Sequence, residues 1–64
     1  MTASELKAWR VRLGLREVEA ARTLGVPAQS YRNWEDGRRA VPPLAVTLIR
    51  YIDRFGIMPL APQP

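Results

Sequence analysis

The sequence predicts an all-α domain of four short helices and no strands, followed by a proline-rich segment. Three observations predict it. Glycines stand at positions 14, 25, 37 and 56, each after a stretch with helical apolar spacing, and glycine takes the left-handed conformation in which helices commonly end. Helix-start signals precede those stretches, as a capping box at Thr2-Ala3-Ser4-Glu5 and prolines at 27, 42 and 43. Between these marks, apolar residues recur at three- and four-residue intervals.

The first helix starts at the capping box and places Leu6, Trp9, Arg10 and Leu13 on one face. The second runs from about Glu17 to Leu24, with Arg16 where Ser, Thr or Asn would cap better. The third runs from about Ala28 to Trp34 or Glu35, with Pro27 in its first turn, where no amide donor is needed. The fourth starts at Pro42 or Pro43 and ends near Phe55. On it, Leu44, Leu48, Tyr51, Ile52 and Phe55 gather on one side, and Ala45 and Ile49 widen the apolar arc to roughly 160°, more than one small core needs. Residues 57–64, Ile57-Met58-Pro59-Leu60-Ala61-Pro62-Gln63-Pro64, are apolar but punctuated by proline, so an extended tail is expected there. The expected organisation is one domain over 1–56 and a tail over 57–64, without repeats.

Sixty-four residues make one domain whose core is marginal by itself. The absence of cysteine excludes disulfides and thiolate-held zinc. The absence of histidine removes the commonest general base and metal ligand. Glu17 and Glu19 point to different sides of a helix and no nucleophile has a base beside it, so neither an enzyme nor a metal or cofactor is expected. The formal net charge is +4, and nine of the ten basic residues are arginine, whose planar fork suits phosphates and guanine edges. Residues 1–37 sum to +1 and residues 38–64 to +3, so much of any phosphate attraction must come from beyond position 37. With neither a signal peptide nor a membrane-length apolar run, a cytoplasmic protein is expected.

Residues 15–37 carry the functional signal. They read as two helices joined by a tight turn at Gly25, a helix-turn-helix that holds its second helix outward, where it can enter the DNA major groove. That helix carries Gln29, Ser30, Arg32 and Asn33, side chains able to bond base edges or phosphates.

The pattern Leu6, Arg10, Leu13-Gly14-Leu15, Glu19, Ala21, Leu24-Gly25-Val26, Ser30, Trp34-Glu35 and Gly37 resembles the lambdoid phage repressor and Cro family, the XRE-type helix-turn-helix regulators, over about residues 2–55. The resemblance implies a compact lambda-repressor-like domain, forming a dimer that binds double-stranded DNA at a short inverted repeat and represses transcription. By position it makes Gln29 and Asn33 base readers, with Ala28 touching a thymine methyl or making room. Arg32 falls between groove and backbone, and Ser30 either reads a base or bonds the backbone. Arg10 and Glu35 match a family ion pair bracing the third helix against the first. The chain departs from the family in four places. Glu17 stands where relatives place Gln, so a carboxylate faces phosphate. It accepts from a cytosine amino group or, on the favoured reading, simply suits the positive end of its helix. Arg16 replaces a small capping residue and suits a grip on the DNA backbone. Ala20 and Tyr31 exchange a large and a small side chain, which conserves volume if they touch. The family's usual fifth helix has no counterpart.

Arg38 and Arg39 follow the recognition helix on the Gly37 turn and are expected to grip the backbone or reach a narrow minor groove. One half-site supplies too little discrimination, so a homodimer is expected. Its candidate contacts are the surplus edge of the fourth helix, Ala45, Ile49 and Ile52, with the tail residues Ile57, Met58 and Leu60. Alternatives are an antitoxin of the same fold that also binds a toxin, and a module that uses the same face for another protein. An RNA reader fits less well, because Trp9, Trp34 and Phe55 sit at core spacings rather than on an exposed platform.

Overall fold

The computed structural model describes residues 1–56 as four helices in the order α1 (Ala3–Arg12), α2 (Glu17–Leu24), α3 (Ala28–Glu35) and α4 (Pro43–Phe55), with no strand among the described residues. The tail, with Ile57, Met58 and Leu60, lies outside them.

Local chemistry accounts for the starts of the helices. Thr2 Oγ1 accepts the Glu5 amide at 3.1 Å and Glu5 Oε1 accepts the Thr2 amide at 2.7 Å, so both halves of the capping box form. At α2 only one half forms. An arginine side chain has no acceptor, but Glu19 Oε1 accepts the Arg16 amide at 2.8 Å. Pro27 stands at the N-cap of α3, one residue earlier than expected, with extended backbone at φ −60° and ψ 144°. Pro42 takes the same place before α4, and Pro43 opens that helix.

The turn between α2 and α3 depends on Gly25, held at φ 72°. In that conformation the Gly25 amide donates to Arg22 O at 3.1 Å and the Val26 amide to Ala21 O at 3.0 Å, which satisfies two terminal carbonyls and reverses the chain. A β-carbon there would meet no atom within 4 Å, so the requirement for glycine comes from the backbone rather than from crowding.

The core draws on every helix: Leu6 and Trp9 from α1, Ala20, Ala21 and Leu24 from α2, Tyr31 and Trp34 from α3, and Ala45, Ile49 and Ile52 from α4. The orientation of α4 corrects the sequence expectation. Ala45, Ile49 and Ile52, expected as a surplus edge for a second copy, are 9%, 1% and 5% exposed and belong to the core of the single chain. Leu44, Leu48, Tyr51 and Phe55, expected inside, are exposed, Leu44 at 82% and Phe55 at 61%. The helix carries two adjoining apolar stripes. A small core already filled by Trp9, Tyr31 and Trp34 admits the slimmer one.

Candidate nucleic-acid interface

The orientation of α3 is set by one arginine. Arg10 Nε donates to Glu35 Oε2 at 2.7 Å and Arg10 Nη2 to Glu35 Oε1 at 3.1 Å, a two-pronged bond between α1 and the last residue of α3. Arg10 Nη1 also donates to Leu15 O at 3.0 Å, tying down the segment that leads into α2. The side chains of Arg10 and Glu35 are 14% and 6% exposed, so the pair is largely shielded from water. Burial pushes the Glu35 carboxyl upward, but the hydrogen bonds from Arg10 and its positive charge outweigh it, and the net shift is downward. The hydrogen bond to Glu35 likewise raises Arg10. Burial, reinforced by Glu35, raises the Tyr31 hydroxyl well above its ordinary range.

Braced in this way, α3 buries Tyr31 and Trp34 and turns Gln29 and Arg32 outward, with Ser30 and Asn33 half-buried between. Gln29 Nε2 donates to Asn33 Oδ1 at 3.1 Å, so the two amides one turn apart form a unit. A carbonyl oxygen on Gln29 and N–H donors on both residues remain available. Ala28 is half-buried and packs against the core, giving it a structural part besides any contact it makes.

Two further elements flank this face. At the far end of α3, Gly37 adopts φ 77°, and the Arg38 and Arg39 amides both donate to Asn33 O, at 2.9 and 3.2 Å. The arginine pair is thereby anchored to the same residue whose side chain pairs with Gln29. Ser30, Asn33, Trp34, Arg39, Ala40 and Pro42 line a polar cleft of about 450 Å³, which puts Arg39 beside the α3 face. At the start of α2, Arg16 is exposed with its Nε 3.5 Å from Glu19 Oε1, and Glu17 Oε1 lies 3.8 Å from Arg32 Nε across the two helices.

The structure therefore gathers Gln29, Ser30, Arg32, Asn33, Arg39 and Glu17 around one helix face. Sequence reasoning missed the pairing of Glu17 with Arg32, which depends on how closely α2 and α3 pack. The Gln29–Asn33 bond was signalled by its four-residue spacing. Among the described residues no group of His, Cys, Asp or Glu is arranged to hold a metal ion, and no helix is long and apolar enough to cross a membrane.

A short helix held outward by a tight glycine turn, with polar and guanidinium groups along its free side, defines a DNA-binding helix-turn-helix protein of the regulatory kind. The chain belongs to the helix-turn-helix domain family, whose model matches residues 3–59, and is of the XRE type. No curated protein and no solved structure matches it.

Proposed function

We propose that the protein is a homodimeric transcriptional repressor that sets one α3 from each copy into neighbouring major-groove segments of a short inverted repeat. The observation that carries this reading is the outward face of α3. Gln29, Asn33 and Arg32 are presented together on a helix clamped from behind by Arg10 and Glu35, with Arg38 and Arg39 anchored at its end. Gln29 and Asn33 read base edges, most simply adenine through its N6 and N7. Arg16, Arg38 and Arg39 hold phosphates.

The second copy docks through the outer stripe of α4. Leu44, Leu48, Tyr51 and Phe55 follow one another at intervals of four, three and four, the spacing of a helix-pairing seam. Leu44, Leu48 and Tyr51 also border an apolar groove with Leu24, Val26 and Trp34. A ridge beside a groove on one surface suits a two-fold contact, in which each copy offers both.

Selection of bound fragments from random duplex DNA tests this reading. The expected product is a palindrome with half-site centres about 10 base pairs apart, or a whole number of helical turns. A single unrepeated site would overturn the dimer, and recovery of no preferred sequence would overturn the repressor.

A further inference from the structure

Among the described residues, Glu17 is the acidic side chain paired with the outward-facing arginine of α3, Arg32. We propose that Glu17 is a specificity-determining residue that acts through Arg32, committing that arginine to the guanine of a G·C pair and withholding it from phosphate. The inference rests on the DNA-binding reading above and names what one part of that face selects.

The geometry has three consequences. Glu17 Oε1 lies 3.8 Å from Arg32 Nε, the nitrogen nearest the arginine stem. A carboxylate on that side steadies the guanidinium while leaving its two terminal nitrogens for a fork of parallel bonds, the arrangement that guanine O6 and N7 accept. The two side chains are 37% and 46% exposed, so water screens the pair in the free protein. Docking of DNA displaces that water and strengthens the pair where the base is read.

The carboxylate also separates the alternative uses of Arg32. Against a phosphate, Glu17 opposes the contact directly and cancels the charge that would release a counterion. Against a G·C pair it meets the cytosine N4 amino group, a donor lying beside guanine O6 in the major groove. Arginine and glutamate then match acceptor and donor edges of one base pair together. With adenine in guanine's place the arginine meets the N6 amino donor and the carboxylate meets thymine O4, an acceptor; with thymine there the arginine finds one acceptor and a methyl group in place of the two acceptors its fork requires. A charge pair at this position thus lowers sequence-independent attraction while raising discrimination.

The test compares the full chain with E17Q, R32A and the double variant, using selected duplexes, mixed-sequence duplex and a salt series. The wild type is expected to select one G·C pair in each half-site. E17Q is expected to weaken that preference roughly tenfold and to bind mixed-sequence DNA severalfold more tightly. Its salt dependence should steepen by about one counterion, because Arg32 is freed for phosphate. R32A should lose most of that preference, and the double variant should lose in addition only the small remainder that Glu17 holds through cytosine N4. E17Q that keeps both the G·C preference and the wild-type salt slope would overturn the proposal and leave Glu17 as a helix-end charge. A wild type without salt-sensitive duplex binding would overturn the DNA reading itself. A merely structural role for Glu17 would lower thermal stability without changing which base pair is selected.

Discussion

At the scale of single residues, the Arg10–Glu35 bond bears most on both stability and presentation of α3. Glu35 closes its helix at the end where backbone carbonyls disfavour an anion, so the carboxylate depends on Arg10. Removing Arg10 strands a carboxylate that is 6% exposed. Arg10→Ala is therefore expected to cost about 3–5 kcal/mol in chemical denaturation, near the whole stability of a domain this small. The pH dependence follows from the direction of the Glu35 shift. Its folded value lies below its unfolded one, so the contribution is complete above the ordinary glutamate range and is lost as pH falls through the folded value. Glu35→Gln should flatten the acid side of the stability profile, measured by melting between pH 7 and pH 2. Some slope will remain, because hydrogen bonds to the Thr2 and Arg16 amides also hold the Glu5 and Glu19 carboxyls low. Residues on the DNA face should separate by role. Gln29→Ala is expected to lower operator affinity with little change on mixed-sequence duplex. Arg38→Ala should weaken both and reduce the salt slope by about one. Neither ion-pair partner can be matched to the other by spacing, since they are 25 positions apart; only resemblance to a family joins them in the sequence.

At the scale of elements, the helix-turn-helix is limited by the conformation of its turn. Gly25 sits at φ 72° with open space around the missing side chain. Gly25→Ala thus imposes a backbone penalty alone, about 1–2 kcal/mol. Each kcal/mol should lower the melting temperature by about 4–8 °C, readable by circular dichroism. A second test concerns the exchanged sizes at Ala20 and Tyr31, both fully buried in one core. If Tyr31 fills the space that a larger residue at position 20 would need, Ala20→Leu overpacks and destabilises by about 1–3 kcal/mol. A stabilised variant would instead reveal a void and remove the compensation. The bounds of α2 and α3 were legible because glycine and proline mark them with fixed backbone preferences. The rotation of α4 was not. Its apolar residues form two touching stripes, and hydrophobicity along a helix does not say which of two stripes meets the core when both are apolar. That choice depends on the volume left by Trp9, Tyr31 and Trp34, a property of the packed domain.

At the scale of the whole molecule, the proposed dimer would have to be held by surface outside the single chain's core. The four outer side chains of α4 are exposed together and offer on the order of 400 Å² of apolar surface. Stable complexes bury roughly 800 Å² per partner, so this stripe supports a weak dimer in free solution. A formal charge of +4 on each copy opposes pairing further, and duplex DNA relieves that opposition by supplying the counter-charge. Two half-sites on one duplex also hold the copies at high effective concentration, which makes a weak contact sufficient. The protein is thus expected to sediment mainly as a monomer at micromolar concentration and to occupy a two-half-site duplex cooperatively. Leu44→Glu together with Leu48→Glu replaces exposed side chains, so the fold should persist while like charges face each other across the seam. Those substitutions should abolish cooperative occupancy and leave affinity for an isolated half-site within about twofold after allowance for the changed charge. If cooperativity survives them, α4 is not where the copies meet.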